Sequence, residues 1–135
     1  MIVVDASALV GLLLDDAPTV AAFEELPPDV RSGPLRAPAL IEPETLNALR
    51  RLERRKVLDP WRAGRAVVDL GVLRRELYPH GPFLQRVWEL RHELSAYDAM
   101  YLAVAERIDA VLLTADRALA RRARRLLGAE RVRLV

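Results

Sequence analysis

The chain has no cysteine and a single lysine, Lys56. Disulfides and thiolate metal centres are therefore excluded. Its two histidines, His80 and His92, show no paired spacing for metal binding or nucleophilic work and receive no role. Any metal would have to be a hard cation held by oxygen. Aromatic residues make up only 5% of the sequence. Long apolar runs are missing too. The opening stretch MIVVDASALVGLLLDD lacks a basic leader and is interrupted by Asp5, and no run reaches the length of a membrane span. The expectation is a cytoplasmic protein with no membrane segment.

What is present is a compact composition, 52% hydrophobic over 135 residues, enough for one domain, 1–135, with a real core. Of the 21 basic residues 20 are arginine, set against 19 acidic ones for a formal net charge of +2. Arginine forks suit phosphate or carboxylate, so the bias hints at nucleic acid or an acidic partner. A GC-rich genome would produce the same bias.

Short apolar β-branched runs alternate with helical periodicity along the whole chain. IVVD at 2–5 and AVLLT at 110–114 read as strands covered on both faces. LRAPAL at 35–40, RRELYPH at 74–80 and RVRLV at 131–135 are the other strand candidates. Helices are expected over SALVGLLL, PTVAAFEEL with Pro27-Pro28 ending it, EPETLNALRRLERRKV, PWRAGRAVVDLGVL, GPFLQRVWELRHEL, the apolar stretch 96–108, and DRALARRARRLL with Gly128 as its cap. This alternation predicts a three-layer α/β/α sandwich around a mostly parallel sheet.

Four acidic residues open helices or close strands: Asp5, Glu44, Asp98 and Asp116. Each has a structural reading. Asp5 and Asp116 suit N-caps, Glu44 beside Pro43 suits a helix dipole, and Ser95-x-x-Asp98 has capping-box spacing. Taken together they suggest more. In a parallel sheet the carboxyl ends of the strands and the starts of the following helices share one edge, where ligands bind. Four carboxylates meeting there repel one another unless a divalent cation, Mg²⁺ or Mn²⁺, intervenes. Asp98 sharpens the point, because its helix is apolar almost all round and an unpartnered buried carboxylate is costly.

The pieces carrying these acids are IVVDASALVGLLL at 2–14, IEPETLNALRRL at 41–52, LSAYDAMYLAVAE at 94–106 and LLTADRALA at 112–120. In this order they resemble the PIN-domain ribonucleases, specifically the toxin subunits of VapBC toxin–antitoxin pairs. Residues 56–93 match only in outline. The resemblance implies an acidic site of Asp5, Glu44, Asp98 and Asp116. Glu44 is preferred over nearby Glu42 for its Glu-x-x-Asn-x-Leu context. It also implies metal-dependent hydrolysis of RNA. One or two Mg²⁺ or Mn²⁺ ions would be held by Asp5, Asp98 and Asp116, and Glu44 would complete the shell or take the proton of the attacking water. Ser7, Asn47 and Thr114 are secondary polar candidates, with backbone capping and a solvated helix amide as their ordinary alternatives. Arg50, Arg51, Arg117, Arg121 and Arg122 are candidate clamps on the RNA backbone, or plain solvated faces. Tyr97, Met100, Tyr101 and Leu102 are expected in core or dimer packing, with stacking of the aromatics on RNA bases as the lesser reading. The implied partners are RNA, a second copy of the chain, and a small antitoxin whose tail occupies the cleft. An apolar groove around Leu12, Leu13 and Phe23 would suit that tail, although ordinary core is preferred for most of these residues.

Other classes fit poorly. A phosphoacceptor receiver domain needs an acidic pair after the first strand and a lysine at its last active strand; Asp5 stands alone and Lys56 lies in a helical arginine run. A haloacid-dehalogenase-like phosphatase needs Asp-x-Asp where this chain has Asp5-Ala6-Ser7. The remaining alternatives keep the fold: a housekeeping PIN nuclease in RNA maturation, or a PIN domain that only binds RNA or protein.

Overall fold

In a computed structural model describing residues 1–135, five strands form one sheet: β1 (Ile2–Val4), β2 (Leu35–Pro38), β3 (Arg75–Tyr78), β4 (Val111–Thr114) and β5 (Val132–Leu134). Their spatial order is β3-β2-β1-β4-β5 and every pairing is parallel. The expected mostly parallel sheet is thus wholly parallel. β1 lies at the centre, with Val3 opposite Arg36 on one side and Leu112 on the other. All three β1 residues are buried, as its unbroken apolar run requires.

Eight helices connect the strands: α1 (Ala6–Leu13), α2 (Ala17–Glu24), α3 (Pro28–Arg31), α4 (Ile41–Arg54), α5 (Pro60–Val72), α6 (Leu84–Glu89), α7 (Ala96–Arg107) and α8 (Arg117–Leu127). The helices α1, α2, α4 and α5 pack together, and α6, α7 and α8 form a second group. Right-handed crossovers put these groups on opposite faces of the sheet, giving three layers. One hydrophobic cluster of 34 buried residues fills the space between them. α7 supplies seven consecutive buried positions, Ala99–Ala105, which accounts for its apolar character all round. No single helix is long and apolar enough to cross a membrane.

Helix starts follow local chemistry. The Asp16 carboxylate accepts from the Thr19 N–H and hydroxyl ahead of Pro18, and Asp59 accepts from the N–H groups of Trp61 and Arg62 around Pro60. Gly128, at φ 100°, ends α8 as expected. Asp15, Lys56 and Asp109 adopt left-handed backbone just past α1, α4 and α7, so the lone lysine serves as a helix terminator.

Two expectations fail locally. Pro27-Pro28 was expected only to end a helix, yet Pro28 opens the single turn α3, where its missing N–H is no loss. The helix expected over 81–94 is broken. A 3₁₀ turn covers Gly81–Phe83, α6 stops at Glu89, and Leu94 turns back onto the Leu90 carbonyl. Leu90 and Leu94 are both buried, so core anchoring overrides helical continuity there.

Gly11 lies inside α1 against Thr19 of α2. A Cβ added at Gly11 would stand 2.8 Å from the Thr19 Cβ and closer still to its hydroxyl, which is held by Asp16. In Gly11→Ala, overpacking of about 1–3 kcal/mol outweighs the helix-propensity gain of about 1 kcal/mol. Urea unfolding is expected to show a less stable variant.

Candidate active site

The strand order reverses between β1 and β4, the place where a parallel sheet opens a crevice at its carboxyl edge. A cleft of about 760 Å³ lies there, and all four candidate acids line it.

Asp5 follows β1 and is 5% exposed. Its Oδ1 accepts from the Ala8 N–H at 2.8 Å, capping α1, and from the Ser7 hydroxyl at 2.7 Å. Its Oδ2 accepts from the Thr114 hydroxyl. A carboxylate offers about four acceptor directions, so roughly one remains open. Each hydroxyl is also an acceptor: Ser7 Oγ takes the Ala115 N–H and Thr114 Oγ1 takes the Asp116 N–H, both at 2.9 Å. Two hydroxyls thus lock the β1–α1 junction to the β4–α8 junction with Asp5 between them. Asp116 caps α8 through Oδ1, which accepts from Ala118 and Leu119, and no protein donor reaches its Oδ2.

Glu44 lies in the first turn of α4, and its Oε2 accepts from the Tyr101 hydroxyl at 2.5 Å. Glu42, two residues back and about 200° round the helix, is gripped by the Arg75 guanidinium and does not line the cleft. Asp98 lies in the first turn of α7, where its N–H donates to the Ser95 hydroxyl at 3.1 Å. Ser95 is therefore the cap, while the Asp98 side chain lines the cleft.

Electrostatics mark this edge as under strain. Burial raises the Asp5 carboxyl above its ordinary range despite three donated hydrogen bonds, and Asp116 raises it further. Burial also raises Glu44, opposed by the Tyr101 hydrogen bond and Arg51 and reinforced by Asp98 and Asp5. Asp98 is raised by burial and by Asp116, against Ser95 and Arg122. Burial and the bond to Glu44 push Tyr101 up, so it stays a neutral donor. No three of these groups stand close enough to form a ready cage for an ion. The donor set, oxygen only and mutually repelling, still fits Mg²⁺ or Mn²⁺. Mg²⁺ keeps several waters and needs only one or two direct carboxylates.

Asn47 lines the cleft, and Ser7 and Thr114 hold Asp5. Of the expected arginine clamps, Arg51 lines the cleft and Arg122 acts on Asp98. Arg50, Arg117 and Arg121 do not line it. The reason for Arg50 is helix phase: six residues from Glu44 is well round the helix, whereas Arg51 and Arg55, seven and eleven residues on, share its face. Arg55 was therefore legible from spacing and overlooked. Met100, Tyr101 and Leu102 are buried as expected, but Tyr101 also reaches Glu44, and Tyr97 is 63% exposed on the cleft wall. His80 accepts the Leu40 N–H at the start of α4.

Comparison with known proteins agrees with this geometry. Residues 2–125 match the PIN domain. The VapC ribonuclease Mb0985 of Mycobacterium bovis is 40% identical over 118 residues, covering 86% of both chains. Ribonuclease VapC1 of Mycobacterium tuberculosis is 34% identical over 119 residues, covering 87% of both. The crystal structure of PAE2754 from Pyrobaculum aerophilum superposes with a TM-score of 0.59 at 26% identity, over 93% of this chain and 91% of that one. The chain belongs to the PIN-domain family, in its VapC branch.

Two outcomes follow. Thr114→Val leaves Asp5 and the Asp116 N–H each short of a buried partner. Chemical unfolding is expected to register a loss of about 1.5–3 kcal/mol. Asp98 is more easily protonated in the folded chain than in the unfolded one. Its contribution to stability is therefore full at low pH and lost as pH rises through the folded pKa. In excess chelator, Asp98→Asn is expected to melt above wild type at pH 7.5, with the gap closing towards pH 3. A variant less stable at pH 7.5 would contradict the raised carboxyl.

Proposed function

We propose that this protein is an endoribonuclease that hydrolyses RNA phosphodiester bonds with a divalent cation, acting as the toxin of a toxin–antitoxin pair. The observation that carries this reading is the convergence of Asp5, Glu44, Asp98 and Asp116, from four separate elements, on one cleft at the sheet's switch point. The relatives' names as VapC ribonucleases support it.

Asp5, Asp98 and Asp116 would hold Mg²⁺ or Mn²⁺, with Glu44 at the edge of the set. The ion, when bound, supplies charge for a non-bridging phosphate oxygen and acidifies a coordinated water. Asp5 presents its one open acceptor direction, and the two hydroxyls keep its carboxylate from turning. Asp116 offers its free Oδ2. Tyr101 holds Glu44 by Oε2, so Oε1 is the atom that either takes the proton of the attacking water or joins the metal shell. As water adds at phosphorus a P–O bond breaks, and Arg51, Arg55 and Arg122 hold the strand by its phosphates.

The partner reading has its own support. A groove of about 350 Å³, lined by Leu12, Leu13 and Phe23 with Arg31 and Arg74 beside them, suits an amphipathic acidic segment such as a small antitoxin's tail. Leu13 is buried and Leu12 and Phe23 are partly buried, so the groove is the outer surface of the core. The exposed side chains Trp61, Val68 and Val72 along α5 are apolar area for a second copy to cover. A cytoplasmic location belongs to the same reading.

Purified wild type and Asp98→Asn, incubated with mixed structured RNA in Mg²⁺, Mn²⁺ or excess chelator, provide the test. Wild type is expected to cut only with metal, and the variant to lose activity by at least about a hundredfold. At a hundred times its Kd, Mg²⁺ should also stabilise wild type by about 2.7 kcal/mol and leave Asp98→Asn little changed. Cleavage that persists in chelator, or calorimetry showing no metal bound to wild type, rejects the mechanism.

A further inference from the structure

Tyr97 has no evident structural work. It occupies the second residue of α7 with 63% of its surface exposed, while Met100 and Tyr101 on the same helix are 5% and 2% exposed. Its side chain makes no hydrogen bond within the protein, yet it lines the cleft of the four acids. It directly precedes Asp98, so its Cα lies about 1.5 Å along the helix axis and about 100° round from that of the carboxylate residue. α4 contributes Asn47, Arg51 and Arg55 to the same cleft. Neither Arg51 nor Arg55 belongs to any of the chain's ion pairs.

We propose that Tyr97 is a stacking platform for one unpaired nucleobase next to the reacting phosphate, while Arg51 and Arg55 grip the flanking phosphates. The proposal rests on the ribonuclease reading and adds a determinant of which RNA is accepted. An aromatic face beside free guanidiniums matches the two chemistries of a single strand, flat bases and an anionic backbone. A paired base has both faces covered by its neighbours, so a duplex cannot use the ring. The cleft therefore accepts a segment from which one base can swing out, and Tyr97 sets the preference without reading a base edge.

The test uses the full chain and a single-stranded oligoribonucleotide carrying 2-aminopurine at successive positions, alongside the same strand with an abasic residue at the responding position. Binding is measured in excess chelator, where the mechanism allows no cutting. Cleavage is then measured with Mg²⁺ or Mn²⁺. Tyr97→Leu keeps bulk without a π face and is expected to bind roughly tenfold more weakly, as for loss of one base stack, and to lose the fluorescence quench. Tyr97→Phe and Tyr97→Trp retain both. With the abasic strand the difference between wild type and Tyr97→Leu disappears. In cleavage, Tyr97→Leu raises KM by a similar factor and changes kcat by less than about threefold.

Equal binding by Tyr97→Leu and wild type overturns the proposal, as does a defect that survives on the abasic strand. A variant with unchanged RNA affinity but weakened self-association or protein binding overturns it in favour of a protein contact at this residue. A wild type that cleaves RNA while Tyr97→Leu is indistinguishable from it sinks the Tyr97 assignment alone. A wild type that neither binds nor cleaves RNA sinks the ribonuclease reading and this proposal with it.

Discussion

A carboxylate buried at the end of the central strand of a parallel sheet has to be hydrogen-bonded, and the way Asp5 is bonded organises the whole carboxyl edge. All but one of its acceptor directions are taken by a helix N–H and two hydroxyls, and those hydroxyls accept from the backbone that starts α8. The β1 and β4 ends are thereby set at fixed separation and orientation, and Asp116 is delivered beside Asp5 as a consequence. Remove the hydroxyls and the strands still pair, but the two carboxylates lose their common frame.

The same residues answer two demands. Asp5 and Asp116 are N-caps in the ordinary sense and also line the cleft. The capping and ligand readings of those acids, which look like rivals on paper, are compatible because a parallel sheet points every following helix's N-terminus at the ligand edge. Positive helix ends soften the repulsion among the acids without removing it. Asp5, Glu44 and Asp98 all remain harder to ionise than ordinary carboxyls. The fold carries that electrostatic tension at neutral pH, and it is the kind of tension that a bound divalent cation would relieve.

Much of this was legible because its causes are local. The apolar runs of β1 and β4, the capping aspartates and the Pro-opened helices are written in adjacent residues. Together they set where strands end and helices begin, and hence which acids share an edge. What escaped depended on rotation about a helix or on distant packing. Arg55 is absent from the clamps read from sequence and Arg50 is among them, because helix phase relative to Glu44, not mere nearness to it, decides which arginines of α4 reach the cleft. Tyr97 and Tyr101 could not be told apart because α7 is apolar on every side and offers no polar stripe to orient it. The break after Glu89 reflects Leu90 and Leu94 seeking the core, a demand that no window along the chain displays.

Asp5 and Thr114 lie 109 positions apart in the chain. During synthesis at about 5–20 residues per second, β1 emerges first and waits several seconds for β4. Until then Asp5 lacks one of its two hydroxyl partners, and Asp116 has yet to follow. The four acids can therefore share one cleft only after β4 and the start of α8 have been made.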